Sequence, residues 1–143
     1  MNNTTRNLFA GAMLAFACLG AAQAQTVGPD GIIRVRSDYP VDETVARIRA
    51  DITAKGILFF QAIDQAQLAA KAGIKLRPST LLEFGNPPLG AQFLTANPNA
   101  GLDWPVRLLV TQDESGAVWA SWTDFAWIAK RHNIRDRVAQ FEM

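Results

Sequence analysis

The chain has 143 residues, 49% of them hydrophobic, with 14 Lys and Arg against 13 Asp and Glu and a formal net charge of +1. That balance supplies no basic footprint for nucleic acid and little pull towards an anionic membrane surface. A single cysteine and a single histidine leave neither a disulfide framework nor a Cys/His set for a transition metal.

The N-terminus has the three parts of an export signal. Met1 to Asn7 is polar and carries Arg6, Leu8 to Gly20 is an apolar run of 13 residues, and Ala22-Gln23-Ala24 has the small-x-small form of a cleavage site. The run is shorter than the roughly 20 residues a spanning helix needs, so cleavage after Ala24 is expected, with no stable membrane anchor afterwards. The product is then a periplasmic or secreted chain of 119 residues, a length that suits one domain with one core. Cleavage removes Cys18 and Arg6 together. The mature chain is thiol-free and neutral, which excludes thiol catalysis, thiolate metal sites and covalent haem attachment.

A short tail over residues 25–31 ends in the turn residues Pro29-Asp30-Gly31. Ile32 to Ser37 alternates apolar and charged residues and predicts a half-buried strand. Pro40 to Lys55 predicts a helix, with Val41, Val45, Ile48 and Ile52 on one side and Gly56 as its stop. The continuous apolar run Ile57 to Ile63 predicts a second, more deeply buried strand. Asp64 caps a short helix reaching Ala72. A third strand runs from Ser79 to Phe84. Asn86 and Pro87 then start a helix with Leu89, Phe93 and Leu94, which a loop over residues 97–101 ends. Val106 to Thr111 and Val118 to Trp122 form a hairpin around Asp113-Glu114-Ser115-Gly116. Asp124 caps a last helix, Phe125 to His132, whose C-terminal end is basic. The closing hairpin favours an α+β fold, an antiparallel sheet with helices packed on one face, over a doubly wound parallel sheet.

Several segments, taken in order, carry a resemblance. Phe84-Gly85-Asn86-Pro87, Ala96-Asn97-Pro98, Gly101-Leu102-Asp103-Trp104-Pro105, Gly116-Ala117-Val118-Trp119 and Ala129-Lys130-Arg131-His132 resemble the family called domain of unknown function 302 (DUF302). The resemblance covers residues 31–134. It implies a TATA-binding-protein-like α+β fold and often a dimer, with no activity attached. The domain organisation that follows is a signal peptide over 1–24, a tail over 25–31, a DUF302-like domain over 32–134 and a C-terminal tail over 135–143. This chain departs from the family pattern in three places. Trp104 stands where Leu is common, Gly90-Ala91 where Gly-Thr is common, and Gln65 where His often follows the aspartate. Any role of that Thr or His in relatives is altered here. A fold like that of a DNA-binding saddle carries no DNA function with it.

His132 is the only histidine and the one candidate catalytic group. It would need Asp103 or Asp124 as partner. Asp124 precedes it by eight residues on the same helix, about 12 Å along the axis and too far to touch. A helix C-terminal histidine is otherwise explained by the helix dipole, as Lys130 and Arg131 are. Ser79 and Ser121 lack a Gly-x-Ser-x-Gly elbow. Asp113 to Gly116 is too short for a calcium loop and reads as a turn, so neither metal nor cofactor is expected. Asn86, Asn97, Asn99 and Asp103 cluster in loops beside Pro and Gly. They read either as helix caps and Asx turns or as the rim of a pocket walled by Trp104, Trp119 or Trp122. Trp119 and Trp122, three apart on one strand, face opposite sides. Arg34 and Arg36 read as a solvated face or as edge protection. The expected function is a non-catalytic small-ligand-binding or interaction module, homodimeric and without nucleic acid. The alternatives are a hydrolase- or isomerase-type enzyme using His132 with a carboxylate, and a structural protein of the cell envelope.

Overall fold

The structure is a computed structural model that describes residues 27–134. The signal segment 1–24 and the tail 135–143 lie outside the described residues. Strands β1 (Ile32–Ser37), β2 (Leu58–Asp64), β3 (Ser79–Gly85), β4 (Val106–Gln112) and β5 (Val118–Thr123) combine with helices α1 (Val41–Ala54), α2 (Gln65–Lys71), α3 (Pro87–Ala96) and α4 (Phe125–Arg131) in the order β1-α1-β2-α2-β3-α3-β4-β5-α4. The strands form one antiparallel sheet in the order β1-β5-β4-β3-β2. This is the α+β architecture that the element order predicts.

Local chemistry sets most boundaries. Asp64, Asn86 and Asp124 each accept the backbone N–H three residues on, capping α2, α3 and α4. Pro40 precedes α1, and Asp42 and Glu43 fill its first turn, where the dipole favours anions. In the β4–β5 turn, Asp113 Oδ1 accepts from the N–H groups of Ser115 and Ala117 and from the Ser115 hydroxyl. Gly116 supplies the positive φ of 85° that the turn needs. The expected loop after α3 is a short 3-10 helix, Pro98–Asp103. Pro98 pre-sets its first turn, and Asn97 Oδ1 accepts from the Asn99 N–H.

Period-two alternation places Leu82, Phe84, Leu108, Val110, Val118 and Ala120 on one face of the sheet, against Val41, Ile48 and Ile52 of α1. Each fully buried side chain of this size contributes about 1.5–3 kcal/mol. A second cluster joins Phe93 of α3, Ala100 of the 3-10 helix, and Ile128, Ala129 and Ile134 at the end of the chain.

The expectation that β2 is the more deeply buried strand is corrected by its position. It is the edge of the sheet, paired only with β3 among the described residues and mostly exposed along its length. A shift in register between Phe59 and Gln61 bulges it, a common device at sheet edges. The other edge is β1, where Arg34 and Arg36 are exposed and Arg34 pairs with Asp30.

Candidate functional site

The sequence candidates separate into three places. Trp122 lies opposite Leu108 and packs against the α1-side core, whereas Trp119, opposite Thr111, is on the other face and donates its indole N–H to Asp113 Oδ2 at 2.8 Å. The two rings therefore do not wall one pocket. Trp104 follows the 3-10 helix through a cis bond to Pro105. Its ring is seated on Gly85 and Gly90 and meets Phe60 edge-on, with centroids 5.8 Å apart. A Cβ on Gly90 would stand 2.1 Å from the indole nitrogen. One departure from the family pattern, Trp104, thus rests on Gly90, the residue beside a second departure, Ala91. The third, Gln65, accepts the Ser79 hydroxyl at 2.7 Å. Asn86 caps α3 and stays apart from the remaining polar residues.

The third place brings together Asn97, Asp103 and His132. Asn97 Nδ2 donates to the His132 carbonyl at 2.9 Å, and His132 Nε2 lies 2.6 Å from Asp103 Oδ2. Both side chains of the Asp103–His132 pair are only 6% exposed. Of the two carboxylates considered as partners for His132, tertiary packing selects Asp103. Asp124 spends its carboxylate on the α4 cap. His132 stands at the C-cap of α4, so these bonds lock the 3-10 helix onto that end of the helix.

Two arginines complete the cluster. Arg131 Nη1 lies 3.3 Å from both Asp103 oxygens, and Arg107 Nη2 lies 3.4 Å from Oδ1 and 3.1 Å from the Leu102 carbonyl. The sequence reading gave Arg131 only a dipole role and passed over Arg107. The available signal was the four-residue step from Asp103 to Arg107. A small open cleft beside the cluster is lined by Asp103, Val106, Arg107, Thr123, Phe125 and Ile128. An ionised Asp103 can only accept, and its oxygens already face three donor side chains. It is an anchor for its neighbours and has little capacity left for a substrate. Among the described residues no group of three or more His, Cys, Asp or Glu could hold a metal ion.

A third feature lies on the β2–α2 flank, where the sequence reading placed no site. None of the residues of α2 is buried. Five of the eight exposed large apolar side chains among the described residues fall within one segment: Leu58, Phe60, Leu68, Ile74 and Leu76. Leu68 is 52% and Ile74 61% exposed.

Comparison with known proteins adds a family and a fold. The family described as Domain of unknown function DUF302 matches residues 33–143. A protein named Fluoride-specific ion channel FluC 1 from Brucella suis biovar 1 (strain 1330) is 38% identical over 104 residues, covering 73% of this chain and 41% of the relative. The protein of the same name from Brucella abortus biovar 1 (strain 9-941) is also 38% identical over 104 residues, covering 73% of this chain and 38% of the relative. The chain therefore spans about two fifths of the length of these relatives. A crystal structure of an uncharacterized conserved DUF302 protein from Bacillus stearothermophilus superposes with a TM-score of 0.70 at 20% identity, covering 78% of this chain and 90% of that one. At that identity the likeness speaks for the fold.

Proposed function

The chain belongs to the DUF302 family, and from that premise we propose that it is an exported, non-catalytic interaction module that works as a homodimer through its β2–α2 flank. The observation that carries this reading is a helix, α2, with no buried residue and an exposed Leu68, together with an edge strand that exposes Leu58 and Phe60 and a loop that exposes Ile74 and Leu76. Exposed apolar side chains concentrated in one stretch of chain are the material of which interaction surfaces are made. A second copy is the occupant that the edge favours. A two-fold axis sets β2 antiparallel to itself, so each unpaired N–H and C=O row meets its own complement.

The test is the mass of the mature protein by light scattering at about 100 µM, for wild type and for Leu68→Asp with Ile74→Asp. The reading expects a dimer that the double variant converts to a folded monomer. A monomeric wild type, or a variant that stays dimeric, overturns it. Export is checked by the intact mass of the protein recovered outside the cytoplasm, which should correspond to a chain beginning at Gln25.

The Brucella relatives are named as fluoride channels, and this chain matches only part of each. Among the described residues no helix is long and apolar enough to cross a membrane. We therefore read the shared part as an accessory to such proteins and propose no conduction for it.

The 2.6 Å contact between Asp103 and His132 favours a second reading, a hydrolase- or isomerase-type enzyme with His132 as base and Asp103 orienting it. It ranks behind the first because Asp103, and not the imidazole, borders the cleft. Hydrolysis of a p-nitrophenyl ester that is abolished in a folded His132→Gln variant would promote it. Equal rates in both proteins would remove it.

A further inference from the structure

We infer that residues 27–31 are a strap that closes on α4 through Trp127 and thereby holds the Asp103–His132 pair together. The strap folds back along β1. Val27 bridges Ile33 in the antiparallel sense, the Gly28 N–H donates to the Ile32 carbonyl at 3.0 Å, and the Gly31 N–H donates to the Gly28 carbonyl at 2.9 Å. Asp30 fastens the turn. Its Oδ1 accepts from the Ile32 N–H at 3.1 Å, and its Oδ2 accepts from Arg34 Nη2 at 3.2 Å.

Gly31 joins the strap to α4. Its carbonyl accepts from the N–H of Asp124, the N-cap of α4, at 2.8 Å. The Trp127 ring lies directly against its α-carbon: a Cβ there would stand 2.4 Å from Trp127 Cγ. The φ of Gly31 is 74°, in the left-handed region. The close ring and the positive φ both call for glycine at this point.

From Trp127 the contacts continue along α4. Arg131 follows Trp127 by four residues, one turn along the helix surface, and its guanidinium lies 6.0 Å from the indole centroid. Arg131 Nη1 reaches both oxygens of Asp103 at 3.3 Å, and Asp103 Oδ2 lies 2.6 Å from His132 Nε2. Coupling of this kind passes through chains of packed rings and ion pairs. With seven residues, α4 is too short to hold itself, so its position is set by what packs against it. Ile128 and Ala129 seat it in the second core cluster, and the strap holds its first turn through Asp124 and Trp127. An open strap removes that second hold, and Arg131 and His132 then shift relative to Asp103. The strap lies along β1, at the opposite edge of the sheet from β2, so the inference stands or falls independently of the dimer.

The test is the NMR signal of the His132 ring in the mature protein. Asp103→Asn removes the charged partner and marks the position of the uncoupled ring. Gly31→Ala and Trp127→Ala should each move the wild-type signal towards that position, and Trp127→Phe, which keeps a ring against Gly31, should bring it back. Asp30→Ala, an exposed change that leaves the helix untouched, should move the signal the same way by a smaller amount. Leu82→Ala weakens the α1-side core without touching α4 and should leave the signal in place. A wild-type signal in Asp30→Ala and in whichever of Gly31→Ala and Trp127→Ala folds overturns the inference. So does a Leu82→Ala displacement as large as theirs, since the ring would then report general loosening.

Discussion

Leu82 and Leu68 are the same side chain in opposite circumstances. Leu82 lies on the sheet face covered by α1 and is fully buried. Leu68 lies on α2 and is half exposed, as are the apolar residues around it. The α1 side has completed its core within one chain, and the β2–α2 flank has not. Apolar residues on the two sides therefore stand differently: the first set is buried and supports folding, and the second is left exposed, on the surface that the proposed association would use.

Substitution can break that comparison. Leu82→Ala should cost about 2–5 kcal/mol of unfolding free energy, because it leaves a cavity under α1. Urea denaturation would read this as a lower midpoint at unchanged slope. Asp103→Ala should cost about 3 kcal/mol or more, since it leaves a buried histidine and two arginines without their shared partner. Gly90→Ala should cost about 1–3 kcal/mol by pushing a methyl group into Trp104. The tryptophan fluorescence of the folded state should shift with it. At the small end, Leu68→Ala should change monomer stability by no more than about 0.5 kcal/mol, yet weaken the proposed dimer measurably by sedimentation. A cost for Leu68→Ala comparable to that of Leu82→Ala would erase the contrast.

An acid titration sharpens the comparison at the hairpin. Hydrogen bonds from the Ser115 hydroxyl and then the Trp119 indole hold the Asp113 carboxyl at about 2, below its ordinary 3.8. A carboxyl lowered by folding stabilises fully above its unfolded value, and that contribution disappears as pH falls through the folded value. Wild type should lose stability between about pH 4 and pH 2, and Asp113→Asn should lose less over the same interval, as denaturation at each pH would show.

What was legible beforehand was mostly local. The caps Asp64, Asn86 and Asp124 reach only three residues along the chain, and the Asp113–Gly116 turn closes on itself. Such contacts are written in adjacent letters. The opposite facing of Trp119 and Trp122 followed from strand geometry alone. The burial of β2 was misread because a continuous apolar run looks the same in a central strand and at an edge. The partner of His132 was narrowed to two aspartates, and the choice needed the 3-10 helix to come alongside α4. Arg107 was passed over because its importance depends on a carboxylate already claimed from elsewhere.

By itself, then, the sequence determined the element order, the caps, the closing hairpin and the resemblance to the DUF302 family, because short-range hydrogen bonds and side-chain periodicity act within a few residues. Tertiary structure alone decided which apolar strand became the exposed edge and that Trp104 would rest on Gly90. It also gathered Asp103, Arg107, Arg131 and His132 at one point. Those outcomes depend on which distant surfaces pack together, and packing is a property of the assembled sheet and helices, beyond the reach of any single stretch of chain.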